Sequence, residues 1–202
     1  MRFGSVWALA MLAVVAVITV SPVTAQTKTT TKPAQQNSQA GPSLAETLDF
    51  VSRALESYGS GLYSSTLSDG TTLRSSERMT LAQNGSCMLT FIENSDTTMA
   101  VGQQLTNDSF ALNLADIDPS SVNSAQSTSA LSGYSVGMAT RNLEKRITKT
   151  SQWTDFKNVT HAPTQTQLSQ IGIWVSDQNA SSRIAHALSH AVELCGGQKS
   201  AF

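Results

Sequence analysis

Near the carboxyl end, "ASSRIAHALSHAVELCGG" (180–197) carries His186, His190 and Glu193 at i, i+4 and i+7, types and a spacing that can present metal ligands from one side of a helix. That side lies opposite the stripe of Ile184, Leu188, Ala191 and Cys195. The three would therefore face water, with no surrounding groups to orient the imidazoles or exclude solvent, and a solvated polar face is expected. No metal or other cofactor is expected. "GYSVG" (133–137) matches G-x-S-x-G, the turn that exposes a nucleophilic serine between a buried strand and a helix, and a hydrolase reading would combine Ser135 with His190 and Asp177. The preceding "SAQSTSALS" is polar, however, and the residues after Ser135 alternate like a strand. An esterase-like activity through Ser135 is thus the alternative reading, and no catalytic set is the main one.

Other chemistry-bearing groups read as structural. Asp116 and Asp118 in "ADIDPSS" form a carboxylate pair, but Asp before Pro119 with serines after it is turn chemistry that ends a strand. Arg141, Lys145, Arg146 and Lys149 gather in a short segment that Glu144 interrupts, as on a charged strand edge. His161, beside Pro163, has no partner readable from sequence. Sequons at Asn84, Asn107, Asn158 and Asn179 matter only in a host that glycosylates exported proteins. Phosphate-cradling glycine loops, zinc-type cysteine pairs and H-E-x-x-H are absent from the sequence.

The elements that position these residues begin with a leader. Arg2 precedes an apolar run over 6–20, Ser21 and Pro22 break it, and Val23, Thr24 and Ala25 put small residues where a signal peptidase cuts. Cleavage between Ala25 and Gln26 is expected, since the run is shorter than the roughly 20 residues that span a bilayer. No cysteine follows the run to carry a lipid, so no stable membrane anchor remains after cleavage. Residues 26–42, "QTKTTTKPAQQNSQAGP", lack large apolar side chains and read as a disordered polar linker. The chain of 202 residues then leaves 43–202 for a single domain. Only 13 % of residues are charged and the net charge is −1, which provides no field to recruit nucleic acid. A secreted or periplasmic location is expected. Cys87 and Cys195, an even pair in an exported chain, are read as a disulfide closing a loop of about a hundred residues, with two separate buried thiols as the alternative.

Ser43 and Glu46 form a capping box, Leu44, Leu48, Val51, Leu55 and Tyr58 share a face, and Gly59 stops the helix predicted over 43–58. The period then falls to two. Strands are predicted over 86–93, 109–118, 133–140 and 169–176, with weaker ones over 71–82 and 143–150, around Leu143 and Ile147. A last helix follows, capped by Ser176 or Asp177, with Ala180, Ile184, Ala187, Leu188, Ala191 and Cys195 on one stripe and Gly196 and Gly197 ending it. Short strands without helices between them imply an antiparallel sheet and an α+β class.

"ALNLADIDPSSV", the basic "RNLEKRITK", the strand "IGIWVSD" and the immediate helix "QNASSRIAHALSHAVELC" together resemble the later strands and carboxyl-terminal helix of a pleckstrin-homology-like domain. The ending also resembles that of a group of uncharacterised exported bacterial proteins. The resemblance implies an antiparallel β-barrel or sandwich of two nearly orthogonal sheets, closed by the carboxyl-terminal helix, with the helix at 43–58 as an addition. It does not imply lipid binding, because the loop region "SSTLSDGTTLRSSERMT" offers only Arg74 and Arg78 beside Asp69 and Glu77. The expectation is an exported, non-enzymatic binding or protein-interaction domain for a protein or peptide partner.

Overall fold

The structure, a computed structural model, describes residues 41–83, 86–127 and 133–198. The leader, the cleavage site at Ala25 and Gln26, and most of the expected linker lie outside the described residues. Residues 40–202 form one compact unit.

Helix α1 (Leu44–Tyr58) starts at the expected capping box: the Ser43 hydroxyl accepts from the Glu46 amide, and the Glu46 carboxylate accepts from the Ser43 amide at 2.8 Å. It buries Thr47, Leu48, Val51 and Leu55. Gly59 turns the chain directly into β1 (Ser60–Thr66). Any side chain at Gly59 would sit 2.5 Å from the Leu55 carbonyl oxygen and 2.6 Å from that of Met79, so the helix end and β2 approach closely only through glycine. Then come β2 (Thr72–Gln83), β3 (Met88–Met99) and β4 (Gly102–Asn113), followed by 3-10 turns at Leu114–Asp116 and Pro119–Ser121. Strands β5 (Asn123–Gln126), β6 (Tyr134–Ala139), β7 (Ile147–Thr154), β8 (Thr164–Leu168) and β9 (Gln170–Val175) lead to helix α2 (Gln178–Leu194).

All pairings are antiparallel, in a six-stranded sheet ordered β1-β2-β3-β4-β7-β8 and a three-stranded sheet ordered β5-β6-β9. The fold is α+β, and the sheets stay separate instead of closing into a barrel. Backbone hydrogen bonds tie the small sheet to its surroundings at both ends of β9. Ser169 alone separates β8 from β9 and accepts the Thr140 amide at 2.8 Å; beyond β9, the Ser176 amide donates to the Tyr58 carbonyl at 2.9 Å.

The core fills the space between the large sheet, the small sheet and the helices. Leu81, Phe91 and Phe110 stand opposite one another across β2, β3 and β4, and Leu89 stands opposite Leu112. Val136, Met138, Ile171, Ile173 and Val175 contribute from the small sheet, and Ile184, Leu188, Ala191 and Val192 from α2. Asp177 caps α2, its carboxylate accepting the Ala180 amide at 2.7 Å. Of the expected stripe Ala180, Ile184, Leu188 and Ala191 are buried, whereas Ala187 and Cys195 are half-buried. Cys195 lies at the end of α2 and is bonded to Cys87 at the head of β3, with Sγ atoms 2.09 Å and Cα atoms 5.7 Å apart.

Several boundaries differ from the sequence expectation. β3 runs to Met99 and β4 starts at Gly102, joined by a turn of Ala100 and Val101; Gly102, just after it, adopts φ +138°, open to glycine and strained for other residues. Residues 114–118, expected to extend a strand, are a 3-10 turn and its exit. Leu143, expected to start a strand, belongs to a 3-10 turn, is 62 % exposed, and β7 begins only at Ile147. β1, β5 and β8 are polar strands that the alternation of apolar residues does not mark. Just ahead of α1, the Pro42 carbonyl accepts a hydrogen bond from His190 Nε2 at 3.0 Å.

Candidate functional site

Strands β1 to β4 and β7 extend well past the core. Their inward-facing positions continue in register as a row: Gly61 opposite Glu77, Glu77 opposite Ser95, Ser95 opposite Thr106, and Thr106 opposite Trp153. One row nearer the core stand Met79, Glu93, Asp108 and Ser151, and one row further out Ser75 pairs with Tyr63 and Thr97. Where the inner rows are apolar and covered, these are small or polar apart from Met79, Tyr63 and Trp153. The floor of the protruding half is therefore a shallow trough.

Two tryptophans bound it. Trp174 of β9 lies on the side of the small sheet opposite the buried Ile173 and Val175. A methyl group at Gly61 would fall 2.4 Å from its ring and one at Gly133 would fall 2.8 Å away, so the indole rests between two glycines. Its Nε1 is buried without a hydrogen-bond partner among the described residues. Trp153 stands at the other end of the row, stacked on His161 with ring centroids 3.8 Å apart and planes 5° apart. His161 Nε2 in turn donates to Asp155 at 3.3 Å. Backbone amides of Val159 and Lys157, with His161 alongside, hold the Asp155 carboxyl below its ordinary value. The loop after β7 is thus a built support for Trp153.

Between the tryptophans lies an open cleft of about 980 Å³, floored by Gly61, Glu77, Ser95 and Thr106 and lined also by their neighbours along β1 to β4 and β7, Arg78 and Asp96 among them. A smaller recess of about 540 Å³ shares Glu77 and Trp174 with it and reaches Glu93, Ser135 and Gly172. Burial pushes the carboxyls of Glu77 and Glu93 above their ordinary value; for Glu93, the negative charges of Glu77 and Asp108 add to this and Lys149 opposes it. Lys149 is committed elsewhere: its ammonium lies 2.6 Å from Asp108 and 5.3 Å from the Phe110 ring centroid, and the Ser151 hydroxyl also donates to Asp108.

The residues singled out from sequence are not brought together. Ser135 sits mid-strand in β6, opposite Ala125 and Trp174, with strand rather than helix after it. Its proposed partners act elsewhere, Asp177 as the α2 cap and His190 as donor to Pro42. His186 and Glu193 are exposed and His190 half-buried, and no group of three or more His, Cys, Asp or Glu among the described residues could hold a metal. Asp118 caps the second 3-10 turn, accepting from the Ser120 amide at 2.9 Å, and Asp116 pairs with Arg146 at 3.1 Å, in keeping with turn chemistry. Arg146 also meets Glu144, and Lys149 meets Asp108, so two of the four basic side chains are held in ion pairs. Asn107 hydrogen-bonds Asn94 at 2.6 Å, Asn158 occupies a left-handed turn with φ 61°, and Asn179 lies in the first turn of α2. Asn84 lies outside the described residues.

Sequence reasoning missed Trp153, Trp174, Glu77 and Glu93. The available signal was modest. Two of the chain's three tryptophans fall in strands, among serines, threonines and glycines too small to enclose them.

Fold and site define an α+β domain of two antiparallel sheets with an open, tryptophan-bounded cleft. No protein-family model, curated protein or solved structure matches the chain.

Proposed function

We propose that this is an exported, non-enzymatic binding domain whose ligand lies in the cleft between Trp153 and Trp174. The carrying observation is the row Gly61, Glu77, Ser95, Thr106 and Trp153. The inward phase of five paired strands continues beyond the core with no large apolar side chain before Trp153, leaving a concave surface with aromatic ends and convergent polar groups, the usual composition of a ligand site. Export is supported by the leader pattern at 1–25 and by the Cys87–Cys195 bond, which belongs to oxidising compartments. No helix among the described residues is long and apolar enough to cross a membrane. The run of β6, β7, β9 and α2 supports kinship with pleckstrin-homology-like domains, the first sheet being enlarged and α1 added. Members of that fold that bind peptides or proteins fit the open cleft better than those that bind lipid headgroups, because the cleft carries inward-facing carboxylates.

The test is a magnetic-resonance screen of peptides and saccharides that follows the indole N–H signals of Trp153 and Trp174, assigned with Trp153→Phe and Trp174→Phe. Ligands that shift these two signals, and lose affinity when Ser95→Arg obstructs the floor, support the reading. Ligands that bind equally well to the obstructed variant overturn it.

A further inference from the structure

Resting on that reading, we infer that the cleft receives an extended polypeptide segment, with a lysine or arginine side chain seated in the corner between Trp174, Glu77 and Glu93. The dimensions come first. Gly61, against which Trp174 packs, and Trp153 are separated by four strand spacings, roughly 19 Å. An extended chain advances about 3.3 to 3.6 Å per residue, so five or six residues reach from one indole to the other. A cleft of about 980 Å³ accommodates such a segment, with the Trp153 end open to an apolar side chain.

Charge then selects the side chain at the other end. The inward-facing charged groups along these strands are Glu77, Glu93, Asp108 and Lys149, and Lys149 is already paired with Asp108. Two half-buried carboxylates remain, and among the described residues neither the Glu77 nor the Glu93 carboxylate has a hydrogen bond or ion pair; burial acts on both, the negative charges of Glu77 and Asp108 add to it at Glu93, and Lys149 opposes it there. Glu77 and Trp174 line both the main cleft and the recess that reaches Glu93, so the carboxylates and the indole border one space. An ammonium or guanidinium group placed there gains charge-assisted hydrogen bonds from the carboxylates and the attraction of the indole ring. A neutral saccharide would lie on the indoles equally well but would leave both carboxylates without a counter-charge. A metal ion lacks a third ligand, since no metal-capable group of three occurs among the described residues.

The probe is a positional hexapeptide library, each pool fixed at one position as Lys, Arg, Gln or Glu, with maltohexaose and cellohexaose as neutral comparisons, titrated calorimetrically against the disulfide-bonded chain. The expected result is one position at which the Lys or Arg pool binds at least tenfold more tightly than the Gln pool, with the preference falling as salt rises. In the Glu77→Gln, Glu93→Gln double variant, which keeps the shape, that preference should vanish while the Gln pool binds as before. Equal affinity of Lys and Gln pools, a preference surviving in the double variant, or tighter binding of a hexaose with shifts at Trp153 and Trp174 would overturn the cationic corner and leave the cleft reading standing. Binding that leaves both indole signals unmoved would overturn both.

Discussion

Strands β2, β3 and β4 each pass through two different environments. On β3, Leu89 and Phe91 point inward and are buried at 1 % and 0 % exposure; four residues past Phe91, Ser95 points the same way and meets only the cleft. The backbone ladder is uninterrupted from Met88 to Met99, opposite Asn113 to Gly102. What differs is the side chain at each inward position, so strand pairing shapes both halves while packing stabilises only one. A sheet can carry a polar overhang when its hydrogen bonds are satisfied within the ladder and its core half supplies the burial.

The comparison breaks most severely at the core end. Replacing Cys87 and Cys195 together by serine frees a loop of 108 residues and should cost about 4 to 5 kcal/mol in the chain-entropy account, seen as a lower denaturation midpoint. Phe91→Ala should cost about 3 to 5 kcal/mol through the cavity it leaves, whereas Ser95→Ala on the same strand and face should stay within about 0.5 kcal/mol. Equal costs for these two would erase the distinction between the halves. At the boundary, Gly61→Ala drives a methyl group into the Trp174 ring, which lies 2.4 Å from the position of that carbon. A loss of about 1 to 3 kcal/mol and a shifted Trp174 indole signal are expected.

The smallest effect concerns pH. The Glu93 carboxyl is raised by burial and by Glu77 and Asp108, so its ionised form is disfavoured in the folded state. A raised folded value contributes stability below the unfolded value near 4.5, and that contribution is lost as pH rises through the folded value. Glu93→Gln should therefore leave Tm unchanged near pH 4 and raise it at pH 7 by about 1 to 3 °C. An equal rise at both pH values would show that ionisation is not the cause.

The legible parts of the fold were those where local chemistry and burial agree. Ser43, Glu46 and Gly59 delimit α1 through backbone hydrogen bonds made within a few residues, and the apolar positions of β6, β9 and α2 repeat because one side of each packs on the core. The polar stretches of β1, β5 and β8, and the outer parts of β3 and β4, carry little such signal, since Ser, Thr, Asn and Gln suit a solvated strand and a loop alike. The motif-bearing residues were legible for a related reason. Ser135 matches a turn that needs a strand before it and a helix after it, and the chain supplies a strand on into Ala139.

The sequence by itself determined the helices, the α+β class, the leader pattern and the cysteines available for pairing, because capping, periodicity and composition act over short spans. Tertiary structure alone decided that Trp153 and Trp174, 21 positions apart, bound one cleft, and that Glu77 and Glu93 stand beside it without an ion pair among the described residues. Those facts depend on strand register and on where the small sheet stands, and register is set by pairings among residues far apart in the chain.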